Sequence, residues 1–576
     1  LHGAAGTLML YPIRKLGAGG VTTPYDYPSS DLQPNQASNA ENVLFRDGKA
    51  MKSPGWTTEI NTFPSGTEPY WFDSWETDDG IFVGFGCADG ANGKVYTTHD
   101  GVTLTEAIIE DSGGTPDTLT QSTYWQMEVF GPYLIVNNGV DVPYYTYSYN
   151  GGTKEWTFRP LPGWGAANSP TGAVRAIRSY KNYLVALGVD GFPYTVFWSD
   201  LGTVEDLPTS WDYASTTSQA GRNPLQTDDG YLVDAAHHND RLMVFQNEAA
   251  TAMEFIGGEF VFNFRRLFNH GLVNHRAVAS FAAQQMFVCA HGINIHDGSS
   301  IGSPAEDRVT QRFFAEVSDI DKVFLSVDSA NHEVLICYPA DEAEWPNRVL
   351  VYGWLDNTWT FEGVDDGIRC IDEASVPTTA LTWGAATGSW GAASGTWAET
   401  GRVTRKRALF QLGDTSWNQR SSAYTRPGVS YRVTTYNPQD ASRRRLTTGT
   451  GDGDLRIIAS ANDADYYAWI ERAYLDLDEL TGESVTTKFL RAVYPQIQGE
   501  GKVDFQFGTS RTTFDPVVWQ SRKTLDMDLE SGRQKIDLRL TGRYLHWRAG
   551  SWEGVPHGGQ WKLSGLDLDI EQQGIR

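Results

Sequence analysis

Six times in the first two thirds of the chain the same phrase recurs: an extended run, a short polar turn, then a strongly apolar run. The copies are WFDSWETDDGIFVGFG from Trp71, MEVFGPYLIVNN from Met127, IRSYKNYLVALG from Ile177, DAAHHNDRLMVFQ from Asp234, AVASFAAQQMFVCA from Ala277 and VFLSVDSANHEVLICYP from Val323. Their apolar centres fall near Val83, Leu134, Leu184, Met243, Phe287 and Leu335, so the period is about 44–59 residues. That is the range of blade-type repeats.

The segments after the hairpins recur as well. PYYTYSYNGGTKEWTF (143–158) and RVLVYGWLDNTWTF (348–361) both read as an aromatic strand, an Asn/Asp/Gly turn and a Trp-x-Phe strand. TAMEFIGGEFVFNF (251–264) does the same around Gly-Gly. Alternation broken by short polar turns is the β-hairpin signal. Each unit therefore supplies about four antiparallel strands, a unit that must pack against its neighbours to bury both faces. The expectation is an all-β chain built on a β-propeller of about six blades. The uneven spacing also permits five or seven, because 365–430 is hard to read and RALFQLGDTSW (407–417) offers a further strand pair.

From about Tyr431 the strands lengthen and alternate cleanly, as in KIDLRL (535–540). This predicts a two-sided antiparallel β-sandwich over 426–576. Residues 67–425 are then the propeller, with a Trp/Gly insertion at 381–399. Residues 1–66, carrying Gly17, Gly19 and Gly20, read as an irregular arm. Abundant Gly (59), Trp (20), Tyr (26) and Phe (26) agree with an all-β class. No apolar run reaches the length of a membrane span, and the opening residues make a poor secretory signal. Cys87, Cys289, Cys337 and Cys370 lie far apart and read as buried free thiols.

The residues offer little catalytic chemistry. A net charge of −25 argues against tight phosphate gripping. His237 and His238 are adjacent, and the pairs His270/His275 and His291/His296 are five apart rather than at the i, i+4 spacing of a helical zinc pair. Asp452, Asp454, Asp463 and Asp465 match a calcium loop only in part. No catalytic residue, metal ligand or cofactor is assigned, although scattered carboxylates leave glycoside hydrolysis open. In LTWGAATGSWGAASGTWAE (381–399), Trp383, Trp390 and Trp397 are seven apart. A coiled coil needs two apolar positions per heptad on a helix-competent background, and two Gly per heptad oppose it. These Trp residues read as packing or subunit-contact residues on short extended pieces. Arg405, Lys406 and Arg407, with Arg443, Arg444 and Arg445, stand as basic runs in an acidic chain and are candidate contacts with an acidic neighbouring subunit.

Three stretches carry a resemblance. PIRKLGAGGV followed by DLQPNQASNAENVLFRDGKAMKSPGW resembles the opening of nozzle proteins (tail tubular, or DNA-stabilisation, proteins) of short-tailed bacteriophages, at Pro12, Gly17, Gly19, Gly20, Leu32, Pro34, Asn42, Val43, Phe45, Asp47, Gly48, Pro54 and Gly55. NRVLVYGWLDNTWTF and the Trp repeat resemble later segments of that family, and GRYLHWRAG…QWKLSGLDLDIEQQGIR resembles its end. The resemblance implies a structural virion tail protein, assembled in the host cytoplasm and not an enzyme. It implies a homo-hexameric tube that continues the DNA channel below a tail adaptor, helps retain the genome and conducts DNA at ejection without sequence-specific binding. It further implies contacts with fibre, spike or needle proteins. Six copies at −25 each carry about −150, and a like-charged wall lets DNA slide. The competing readings are a propeller-type polysaccharide hydrolase or lyase, and a glycan-binding protein. If the second basic run bridges subunits, replacing Arg443, Arg444 and Arg445 with Glu weakens self-assembly measured by native mass spectrometry; unchanged oligomers would refute the contact.

Overall fold

The computed structural model describes residues 8–53, 63–64, 66–99, 103–258, 260–363, 368–377, 405–413, 467–478, 486–528, 534–551 and 560–575. It is all-β, with 55% strand and 4% helix, arranged as many small antiparallel sheets. Each of the six expected hairpins is present, and each apolar centre lies on the second strand of its sheet. Local turn chemistry sets the registers. Tyr180 pairs with Tyr183 across Lys181 and Asn182, both at positive φ, as a two-residue type I′ connection requires.

The first strands of successive sheets are β1 (Glu68–Thr77), β2 (Gln126–Phe130), β3 (Ala176–Tyr180), β4 (Leu232–His238), β5 (Val278–Phe281) and β6 (Phe324–Asp328). A seventh, β7 (Ile368–Pro377), pairs with Arg405–Gly413. RALFQLGDTSW, read from sequence as a further strand pair, supplies one strand whose partner is β7, and 414–417 lie outside the described residues. Each of these inner strands packs against the next, and β7 packs against both β6 and β1, so the order of neighbours returns to its start. Behind β1 to β6 the sheets continue outward to four strands or more. Apolar faces pack between sheets: Trp75, Phe82, Leu134 and Phe158 share one core, and Ile135, Ile177, Leu184 and Phe197 another. Cys87, Cys289, Cys337 and Cys370 are buried and none is in a disulfide, as expected.

The C-terminal strands form two further layers. One sheet runs Val43–Arg46, Lys49–Lys52, Trp561–Ile575, Thr486–Gly499, Ile536–Gly542, with Leu8–Arg14 also on Trp561–Ile575. The other runs from Ala468–Leu475 through Tyr544–Ser551 and Lys502–Ser510 to Val518–Trp519. Ile536–Gly542 alternates buried and exposed along its length, the pattern read from its sequence. Leu490, Leu538 and Leu568 of the first layer share a core with Phe505, Leu545 and Trp547 of the second.

Among its described residues the N-terminal segment expected as an irregular arm carries four short strands, Leu8–Arg14, Asn39–Glu41, Val43–Arg46 and Lys49–Lys52, while 15–38 carries none. Asn39–Glu41 pairs in parallel with Thr358–Gly363, the last strand of the β6 sheet, and antiparallel with Ala468–Leu475. It thereby fuses the β6 sheet and a C-terminal layer into ten strands. Val43–Arg46 and Lys49–Lys52 form a local hairpin across Asp47 and Gly48, both at positive φ, a turn signal that the surrounding Gly/Pro-rich text obscures; Leu8–Arg14 and Asn39–Glu41 have their partners hundreds of residues away. The glycines that suggested irregularity are sites of close approach. A Cβ on Gly17 would sit 2.4 Å from the Lys49 carbonyl oxygen, and Gly20, at φ +60°, would place one 2.7 Å from the Trp359 nitrogen. Arg472, fully buried, donates to the carbonyls of Ser29 and Ala473, and to that of Leu32 at 2.7 Å. Burial pulls it down to about 10, still charged at neutral pH. Buried Lys488 is held by Asp476 at 3.1 Å and Asp478 at 2.5 Å. Arg472→Met therefore orphans buried carbonyls and is expected to cost about 1–3 kcal/mol in urea unfolding; an unchanged midpoint would contradict this role.

Candidate functional site

Most of the inner strands bring a charged side chain to the middle of the circle. Arg178 on β3 binds Asp234 on β4 through two nitrogens, at 3.0 and 2.9 Å, and reaches Glu128 on β2 at 3.2 Å. Glu128 also accepts from the Ser179 backbone at 2.9 Å and its hydroxyl at 2.6 Å. Asp234 accepts from the Arg276 backbone nitrogen at 3.0 Å, just before β5. One guanidinium thus joins three successive sheets, and the paired carboxylates hold Arg178 above its ordinary range despite burial.

Opposite this cluster the charge is poorly compensated. Burial pushes Asp372 on β7 up to about 6, and Asp73 on β1 well above the carboxylate range, with Asp372 its main like-charged neighbour. The Arg276 guanidinium lies 3.5 Å over the Trp71 ring and donates to the Trp125 carbonyl at 3.2 Å. Its Nε and Nη1 are buried without a hydrogen-bond partner. Desolvation lowers its pKa. A cation on an indole face compensates part of this cost.

The ends of the inner strands nearest these groups open into a cavity of about 610 Å³. Its wall comes from the segments that enter β2, β3, β4, β5 and β6, including Tyr124, Arg175, Tyr231, His275 and Asp321. Tyr124 and His275 rings lie 4.2 Å apart. Burial, then Arg276, Arg178 and Arg175, keep the imidazole well below its usual pKa and so neutral. Burial and the charge of Asp234 raise Tyr124. The arrangement can bind a polar molecule; a nucleophile–base pair is not evident among the described residues lining it.

The residues singled out from sequence do not gather here. Arg405, Lys406 and Arg407 begin the strand opposite Pro377, Val376 and Ser375. Trp383, Trp390 and Trp397, the run Arg443, Arg444 and Arg445, and the carboxylates Asp452, Asp454, Asp463 and Asp465 lie outside the described residues. His237 is exposed and His238 buried, on opposite faces of β4. His238 and His296 rings lie 5.1 Å apart, and among the described residues no group of three His, Cys, Asp or Glu is placed to hold a metal ion. The axial charges do have a signal in the sequence, one that the apolar periodicity obscures. FDS, MEV, IRS, VDA and IDE place Asp73, Glu128, Arg178, Asp234 and Asp372 each after one apolar residue of an inner strand.

No family model matches the chain, and no curated protein matches its sequence significantly.

Asp372 gives a pH test. Its folded value of about 6 stands above the unfolded value of about 3.9. Below about pH 4 both states are protonated, and above about pH 6 the folded state bears the full cost of the charge. Asp372→Asn keeps the acceptor for the Glu373 backbone nitrogen. It is expected to raise the melting temperature at pH 7, with the gain vanishing towards pH 4. A pH-independent offset would contradict the assignment.

Proposed function

We propose that this chain is a structural component of a bacteriophage tail: a subunit of a hexameric nozzle that continues the DNA channel below the adaptor, helps retain the genome and conducts DNA at ejection. We read the circle of inner strands as a β-propeller with seven positions, the seventh being β7 with Arg405–Gly413. The two C-terminal layers we read as a sandwich that, with the N-terminal strands, forms the adaptor-facing platform.

One observation carries this reading. The three stretches that resemble nozzle proteins are far apart in sequence but adjacent in space. Asn39–Glu41 lies between Thr358–Gly363 and Ala468–Leu475, and Leu8–Arg14 and Lys49–Lys52 both pair with Trp561–Ile575. The resemblance therefore marks one built unit. The axis of the circle fits a structural part better than a DNA path. Side chains of its inner strands fill it, with Arg178, Glu128 and Asp234 locked to one another across sheets, and a bore wide enough for a duplex must lie between copies. The overall acidity suits a wall that does not hold phosphate.

Native mass spectrometry of the purified chain tests the reading. The expected species is six times the 63.8 kDa subunit, alone or on addition of its adaptor ring. A strict monomer under both conditions, with reducing ends released from a bacterial polysaccharide, would favour the hydrolase or lyase reading instead.

A further inference from the structure

We propose that the cavity at the entry to the inner strands binds an acidic sugar, with Arg175 as the partner of its carboxylate. The proposal is independent of the tail reading. It concerns one chain's own residues and requires no assembly.

The size comes first. A volume of about 610 Å³ lies inside the ~300–1,000 Å³ of ordinary small-molecule sites. The lining then sets the chemistry. Arg175 is exposed on the wall, and among the described residues it has no carboxylate partner; its nearest bond is a 3.5 Å contact to the Leu232 carbonyl. By contrast, Arg178 spends its charge on Glu128 and Asp234. A guanidinium left open at a cavity wall is a natural seat for a planar carboxylate.

The remaining groups suit hydroxyls. Asn247 accepts from the Tyr231 backbone nitrogen through Oδ1 at 2.8 Å, which leaves its amide NH2 available. Asn274 donates to the Val323 carbonyl at 2.9 Å, which leaves its own carbonyl available. Asp190 and Asp321 add acceptors at the rim. His275 contributes its ring to the wall, packed 4.2 Å from Tyr124. Tyr231, half exposed and stacked on Tyr194 at 5.3 Å, offers a braced aromatic face for the apolar side of a sugar ring. Donors and acceptors in near-equal supply beside an aromatic platform match a polyol better than an apolar ligand.

Charge narrows the class further. Among the described lining residues Arg175 is the one guanidinium, and Arg178 behind them is already neutralised by Glu128 and Asp234, so a single carboxylate is favoured there. Asp190 and Asp321 stand at the same cavity and repel a multiply charged anion. A sugar monocarboxylate satisfies both conditions; a phosphate dianion does not, and a nucleic-acid backbone, with a charge on every phosphate along the strand, is repelled as a polyanion.

The test is titration calorimetry on the full chain with a trisaccharide carrying one glucuronate and two neutral glucose units, the matching neutral glucose trisaccharide and inorganic phosphate. The expected result is saturable binding of the glucuronate oligomer, with the neutral oligomer weaker by about tenfold or more, equivalent to about 1.4 kcal/mol. Phosphate should not compete. Arg175→Ala, at an exposed position, should keep the wild-type melting temperature and lose about tenfold in affinity for glucuronate while leaving the weak neutral binding unchanged. Asn247→Ala should weaken both oligomers. Absence of saturable glucuronate binding, equal affinity of the neutral oligomer, competition by phosphate, or an Arg175→Ala variant that is folded and binds glucuronate normally would each overturn the proposal.

Discussion

The architecture turns on one buried guanidinium. Arg178 on β3 is gripped by Asp234 on β4 and Glu128 on β2, and Asp234 also holds the backbone at the start of β5. Burying such charges without partners is costly, and breaking one member of a buried set typically costs about 3–5 kcal/mol. The network therefore acts as a geometric condition. Four consecutive sheets must meet at the right angle for any of these groups to be satisfied. Other polar groups repeat the device farther out: Gln126 accepts from the Ile177 backbone, Asn137 donates to the Val174 carbonyl, and Ser280 and Gln285 both donate to the His237 carbonyl. Apolar packing supplies the driving force between sheets, while these directional contacts fix which sheet comes next to which.

The N-terminal segment imposes a second condition. Asn39–Glu41 is three residues long, yet it joins the last strand of the β6 sheet to a C-terminal layer. Around it, Arg312 reaches Asn39 at 2.8 Å and lies 3.9 Å over the Phe361 ring, Arg46 binds Glu333 at 2.5 Å, and the Ser53 hydroxyl donates to Glu362 at 2.5 Å. The two ends of the chain are thus locked to its middle. Such long sequence separations make the assembly of this unit a late and entropically expensive event. They also make it rigid once formed, which suits a part that transmits load between neighbours in the proposed conduit.

Legibility in the sequence tracks the range of the interactions. The six hairpins are readable because each second strand, such as Tyr183–Val189, is a compact apolar run beside a turn with its own chemistry. Ile536–Gly542 is readable because one face alone is buried. Leu8–Arg14 and Asn39–Glu41 resemble an irregular arm in sequence because their partners are remote, and Gly17 and Gly20 answer to contacts with Lys49 and Trp359 as well as to their own turns. Arg175, His275 and Arg276 are illegible for a related reason. Arg175 belongs to the segment entering β3 and His275 with Arg276 to the one entering β5, so only the fold brings them together. Asp73, Glu128, Arg178, Asp234 and Asp372 stand in the repeat but are outweighed by the apolar pattern around them.

Function is the least local property of all. The resemblance to nozzle proteins rests on short stretches, and the fold brings those stretches side by side. Charged side chains of the inner strands occupy the middle of the circle, Arg178 with Glu128 and Asp234 among them, so the proposed DNA path belongs to the space between copies. The most direct measurement of this account is a three-dimensional electron-microscopy reconstruction of an assembled tail containing the chain. It should show six copies around an axial channel, with the N-terminal and C-terminal strands at the adaptor side and an acidic wall facing the bore. Copies absent from the tail, or a bore ringed by Lys and Arg, would contradict it.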